Sequence, residues 1–129
     1  MTERSRRDVL VVDDDEAQRD LLHRILSLYQ LNVTLVESGA DALRQLEQST
    51  PDLILLDIQM PEMDGYETLK LMHEKFATDT PTVVGLSGSI ERGDEQQHGF
   101  SDYIVKPFTV AQLGERLKPF VDIVPLSRK

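Results

Sequence analysis

The 129-residue chain has no cysteine. That excludes a disulfide framework, a thiolate nucleophile and a Cys-based metal site, and it accords with a reducing, cytoplasmic setting. Basic surface is also scarce, since 14 Lys and Arg face 23 Asp and Glu for a net charge of -9. General binders of nucleic acid or anionic membrane need basic patches, so no nucleic-acid and no membrane partner is expected. Long hydrophobic runs are missing too. The basic start Met1–Arg7 is followed by Val9-Leu10-Val11-Val12, which Asp13-Asp14-Asp15 cuts off. Such a run is too short for a signal peptide or a membrane span. No internal repeat, low-complexity tract or interdomain linker is present. The expectation is one domain that buries roughly two thirds of its surface, with residues 1–7 a flexible lead-in, 8–122 the domain and 123–129 a tail.

What is present is a regular alternation. Val9–Val12 reads as a first strand, and Asp15, with Gln18 three residues on, has the pattern of a helix N-cap and capping box. Ala17, Leu21, Ile25 and Leu28, beside Leu22, Leu26 and Tyr29, then keep helical spacing to about Tyr29. Val33–Val36 is a second strand. Ser38, with Asp41 three residues later, caps a helix whose inner face carries Leu43 and Leu46, and Ser49-Thr50-Pro51 stops it. Leu53–Leu56 is an unbroken apolar run, as suits a strand buried on both faces. A helix over Tyr66–Phe76 should turn Leu69, Met72 and Phe76 inward. Strands follow at 82–86 and 102–105. A last helix starts at Thr109 with Gln112, turns Val110, Leu113 and Leu117 inward, is weakened by Gly114, and ends at Pro119. Five strands alternating with five helices predict an α/β fold, a doubly wound parallel sheet with helices on both faces and right-handed crossovers.

Open parallel sheets bind ligands beyond the carboxyl ends of their strands. Here those ends deliver Asp13 and Asp14 from the first strand, Asp57 from the third, Ser87 from the fourth and Lys106 from the fifth. Asp and Ser commonly end strands, and Asp15 alone reads as only a cap. Four strands that all end in reactive groups do not reduce to that. Clustered carboxylates repel one another unless a cation sits among them. With oxygen ligands only, that cation is hard, and Mg²⁺ is the natural choice. A carboxylate is also a competent nucleophile toward phosphorus, in a transfer that needs positioning and charge neutralisation.

The segments Val11-Val12-Asp13-Asp14, Leu55 to Pro61 with Met63-Asp64-Gly65, Leu86-Ser87-Gly88 and Tyr103 to Phe108 resemble the response-regulator receiver domain of bacterial two-component phosphorelay signalling. The resemblance spans about residues 8–120. It implies a flavodoxin-like sheet of order 2-1-3-4-5, for which the receiver is a standing example. It further implies that Asp57 is the phospho-acceptor and that Asp13 and Asp14 are the acidic pair, chosen over Asp15 because Arg19 then falls at the family's usual offset. Asp14, Asp57 and the backbone carbonyl of Gln59 would bind Mg²⁺ directly, and Asp13 mostly through water. Ser87 matches the switch hydroxyl, Lys106 the invariant lysine and Tyr103 the switch aromatic, although packing alone also explains a strand Tyr. Lys106-Pro107 would be cis.

By that resemblance the chain is a substrate and switch rather than a turnover enzyme. It takes a phosphoryl group from a histidine kinase or histidine phosphotransfer protein and engages a downstream protein partner as a monomer or weak dimer. The output face would be formed by the fourth helix, fifth strand and last helix. A stand-alone regulator and the receiver of a hybrid kinase are both open, and no output domain is expected. Three other readings account for less of the sequence. A degenerate docking module conflicts with the intact constellation. A haloacid-dehalogenase-type phosphatase could use Asp13 and Asp15, yet it would leave Asp57 unexplained and has no room for a cap domain. A flavin domain would set acidic strand ends against the flavin phosphate. His23, His73 and His98 lack partner spacing and read as solvent-facing, as do Arg4, Arg6 and Arg7. The polar segment 89–99 suggests a short or mobile fourth helix. Gln59 and Ser89 should tune the lifetime of the phosphorylated form.

Overall fold

The computed structural model describes residues 5–88 and 99–126. Five parallel strands form one sheet in the order β2-β1-β3-β4-β5, with β1 at Asp8–Val12, β2 at Asn32–Val36, β3 at Leu53–Asp57, β4 at Thr82–Ser87 and β5 at Asp102–Val105. Four α-helices lie among the described residues: α1 Glu16–Leu28, α2 Gly39–Gln48, α3 Gly65–Phe76 and α4 Val110–Leu117. A 3₁₀ turn over Ala77–Asp79, not foreseen from the sequence, closes α3. The expected fourth helix, with Ser89 and His98, lies outside the described residues.

Apolar runs become central strands because helices cover both faces. All five residues of β3 are buried. Side chains alternate across the sheet, so Leu53 and Leu55 join the core under α1 and α4, and Ile54 and Leu56 join the core under α2 and α3. Each buried Leu or Ile contributes ~2 kcal/mol of burial. That packing holds the carboxyl ends of the strands at one level. The registers Val12↔Leu56 and Asp57↔Leu86 put the functional ends of β1, β3 and β4 side by side.

The helix starts follow the sequence. Asp15 accepts from the amides of Ala17 and Gln18, Ser38 accepts from Asp41, and Thr109 with Gln112 forms a full reciprocal capping box. Asp64 caps α3 by accepting from Glu67.

Several expectations are corrected. Leu21 and Leu28 are 45% and 57% exposed, because α1 turns only the Leu22, Ile25 and Leu26 stripe to the sheet. Leu43, Phe76 and Val110 do pack against the core as expected, each of them partly buried. Gly114 is less a weak point than a seat. A Cβ there would meet the Tyr29 hydroxyl oxygen at 2.4 Å, and that hydroxyl donates to the Val110 carbonyl at 2.7 Å. Hydrogen bonds also join Arg6 and Val124 to the domain. The Arg6 amide donates to Asp122 Oδ2 at 2.7 Å, the Asp122 amide donates back to the Arg6 carbonyl, and the Val124 amide donates to the Tyr29 carbonyl. The bond from Arg6, aided by its positive charge, lowers the pKa of the Asp122 carboxyl.

Candidate functional site

Three carboxylates meet at the carboxyl edge. Asp13, Asp14 and Asp57 each offer an oxygen within 4.8 Å of the others. Asp13 is 0% and Asp57 4% exposed, whereas Asp14 faces solvent. The difference follows from the strands: Asp13 and Asp57 extend buried runs, and Asp14 begins the turn into α1.

Asp13 is held from several sides. Its amide donates to the Val36 carbonyl at 3.2 Å, its Oδ1 accepts from the Asp15 amide at 2.9 Å, and its carbonyl accepts from Arg19 Nη1 at 2.8 Å. Its Oδ2 is buried and has no hydrogen-bond partner among the described residues. Burial, opposed by the Asp15 amide and reinforced by the nearby Asp57 charge, pushes its pKa up to about 6. A buried carboxylate oxygen without a donor costs free energy unless a cation approaches. Three oxygen donors of this kind fit a hard divalent ion. His23 and His73 are exposed and stand outside this group.

Asp57 Oδ1 accepts from the Gln59 amide at 3.2 Å and pairs with Lys106 Nζ at 3.3 Å. The same ammonium is 4.0 Å from Asp13 Oδ2. Strand pairing brings the Lys106 backbone to this edge. Its amide donates to the Ser87 carbonyl at 2.8 Å, continuing the β4–β5 ladder, and the Lys106–Pro107 peptide is cis. Ser87 is 3% exposed, closes β4 and lies opposite Val105. It stands one residue beyond the partner of Asp57. Across from Gly88, Gln59 Oε1 comes within 3.7 Å of where a Cβ would stand.

Tyr103 is buried. Its ring lies 5.0 Å from that of Phe100, and a Cβ on Gly85 would meet it at 3.1 Å. The five strand-end groups named from the sequence therefore converge, and Tyr103 faces the core beside them. Sequence reasoning missed two supporting residues. Gly65 lets the start of α3 press on the backbone behind Asp57, where a Cβ would sit 2.7 Å from the Asp57 carbonyl oxygen; the Asp64-Gly65 pair was a usable signal. Arg19 served only as a register marker, and its bond to Asp13 had no local signature.

A sequence model of the response regulator receiver domain matches residues 9–118. The chain belongs to the response regulator receiver family. As a receiver it is a phospho-acceptor signalling switch, and receivers interact with histidine kinases or phosphotransfer proteins. An uncharacterised 14.6 kDa protein of Leptolyngbya boryana is 37% identical over 109 residues, covering 82% of this receiver and 83% of that protein. Hybrid signal transduction histidine kinase L of Dictyostelium discoideum is 34% identical over 121 residues, covering 87% of this receiver but only 7% of the kinase. Several of the curated relatives it matches are much longer, and this receiver spans 26% of the Salmonella transcriptional regulatory protein ZraR. Among solved structures, the receiver domain of the sensor histidine kinase PA1611 from Pseudomonas aeruginosa, with a magnesium ion in its active-site cleft, superposes with a TM-score of 0.79 at 28% identity. That match covers 88% of this receiver and 96% of that chain. No helix among the described residues is long and apolar enough to cross a membrane.

Proposed function

We propose that Asp57 is the phospho-acceptor, that Asp14, Asp57 and the Gln59 carbonyl bind one Mg²⁺ directly with Asp13 beside them, and that Lys106 and Ser87 hold the phosphoryl group. The observation that carries this reading is the Lys106 Nζ to Asp57 Oδ1 pair at 3.3 Å. It unites a carboxylate at the end of a buried strand with a cation able to bind a phosphoryl oxygen, next to an acidic pair. Bound Mg²⁺ supplies the charge neutralisation that lets an anionic donor approach three carboxylates. The magnesium-bound Pseudomonas receiver supports the same ion here.

An Asp57 oxygen attacks the phosphorus of a phosphohistidine on the partner kinase or phosphotransfer protein. The new P–O bond forms as the P–N bond breaks, and the electron pair stays on the imidazole nitrogen. Lys106 steadies one phosphoryl oxygen and the Ser87 hydroxyl donates to another. The phosphorylated residue carries roughly two negative charges and new acceptor oxygens. Ser87 moves toward them, Tyr103 follows, and the surface around β5 and α4 becomes the one a downstream protein binds better. The chain is a substrate and switch that catalyses only its own phosphorylation and dephosphorylation. Residues 8–122 form the working domain, in the cytoplasm, as a monomer or weak dimer.

The test is intact mass after incubation with Mg²⁺ and a small-molecule phosphodonor, for wild type and Asp57→Ala. Gain of one phosphoryl group by the wild type alone is expected. Equal gain by both proteins would move the acceptor elsewhere, with Asp13 first to examine. No gain by either would return the chain to a docking role.

A further inference from the structure

We propose that Arg19 is a positioning residue for the metal site, a strut that ties the Asp13-Asp14 turn to the loop after β2 and so sets Mg²⁺ affinity. The proposal rests on the reading of Asp13, Asp14 and Asp57 as the metal site.

The geometry is unusual for a helix-surface arginine. Arg19 sits in the first turns of α1, and its amide makes the ordinary helical bond to the Asp15 carbonyl at 3.0 Å. Its side chain is only 12% exposed. It folds back under the turn instead of reaching into water. Nη1 donates to the Asp13 carbonyl at 2.8 Å, and Nη2 reaches Glu37 Oε1 at 3.4 Å. Glu37 directly follows β2 and is itself largely solvated, so its pairing with Arg19 is a tether more than an energy source.

The Asp13 carbonyl belongs to the peptide that joins Asp13 to Asp14. That peptide's orientation sets where both carboxylates point, one into the buried pocket and the other into solvent at its rim. The Val36 carbonyl, at 3.2 Å, holds the amide of Asp13, and the Asp15 amide holds one of its carboxylate oxygens. The other oxygen has no hydrogen bond among the described residues. Arg19 supplies the remaining restraint, on the carbonyl. As a planar donor with no acceptor atoms, it fixes the backbone from behind without competing as a ligand. Without it the turn would sample more conformers, and the incoming ion would have to order them.

The test is Mg²⁺ titration by calorimetry of wild type, Arg19→Gln, Arg19→Lys and Glu37→Ala. Circular dichroism in EDTA verifies the fold of each. Residues that orient metal ligands typically change affinity tenfold or more, so Arg19→Gln should weaken Mg²⁺ binding about tenfold, and Arg19→Lys and Glu37→Ala about threefold each. Phosphorylation by a small-molecule donor should show a raised half-saturating Mg²⁺ for Arg19→Gln. Its plateau rate should return to within about twofold of wild type in excess Mg²⁺, a split that general damage to the fold does not produce. Wild-type affinity in a folded Arg19→Gln overturns the proposal. If Arg19→Gln does not fold, wild-type affinity in both Arg19→Lys and Glu37→Ala overturns it equally. A wild-type protein that binds no Mg²⁺ removes the metal-site reading and the strut with it, whereas wild-type binding with unchanged variants removes only the strut.

Discussion

The two ends of the sheet use the same residue type for opposite purposes. At the amino end, Asp8 and Asp52 are at least partly in water and bond to each other and to Asn32. The Asp8 amide donates to Asp52 Oδ2 at 3.0 Å, Asn32 Nδ2 donates to Asp8 Oδ1 at 3.0 Å, and the Asp52 amide donates to the Asp8 carbonyl at 2.8 Å. Those carboxylates staple β1, β2 and β3 at their starts. At the carboxyl end, Asp13 and Asp57 are buried and repel each other, and one oxygen of Asp13 has no hydrogen bond among the described residues. A carboxylate becomes a functional group here when it is taken out of water without being fully satisfied. What the fold loses in stability at that end it gains in affinity for a cation and a phosphoryl group.

Substitutions at the two ends should therefore differ in kind. The largest effect is expected from Asp57→Ala, which should abolish phosphoryl gain in an intact-mass assay, while Asp8→Asn and Asp52→Asn leave it unchanged. A loss at both ends would dissolve the distinction.

Asp13→Asn comes next, and its two consequences should have opposite sign. Mg²⁺ affinity measured by calorimetry should fall at least tenfold. Stability in EDTA at neutral pH, from urea denaturation, should rise on the order of 2 kcal/mol, because an ionised carboxylate no longer has to be buried.

The same group gives a pH dependence. Asp13 titrates at about 6 in the folded chain against 3.8 unfolded, so the native state binds the extra proton between those values. The stability advantage of Asp13→Asn over wild type should be complete above pH 6 and close as pH falls toward about 4, a change on the order of 2 kcal/mol. Mg²⁺ affinity of the wild type should weaken across the same window, since the proton competes with the ion. A gap that widens in acid would mean that the Asp13 carboxylate is stabilised, not strained.

The smallest effect is expected at the other end. Asp52→Ala removes an exposed staple and should cost at most about 1 kcal/mol in urea denaturation, with Mg²⁺ affinity intact.

Much of this was legible without coordinates, for physical reasons. The apolar run before Asp57 reads directly because a strand covered on both faces needs no polar alternation. Caps at Asp15, Ser38 and Thr109 read because a side-chain oxygen must meet a free amide two or three residues on. Residues whose role depends on distant neighbours did not read. Leu21 and Leu28 keep helical spacing, yet the sheet covers only one stripe of α1. Gly114 looks like a helix defect until Tyr29, 85 positions earlier in the chain, is seen to occupy its missing side chain. Arg19 marks a register in sequence and holds a carbonyl in space.

The sequence by itself determined the alternation of strands and helices, the parallel sheet, and which residues stand at its carboxyl edge. Those follow from local periodicity and from the rule that parallel strands present their ends together. Only the tertiary structure decided which of three consecutive aspartates is buried and which of its oxygens has no hydrogen bond among the described residues, how close Lys106 comes to Asp57, and what holds the Asp13-Asp14 peptide in place. Burial, electrostatic coupling and backbone support are set by segments far apart in the chain, and no local pattern records them.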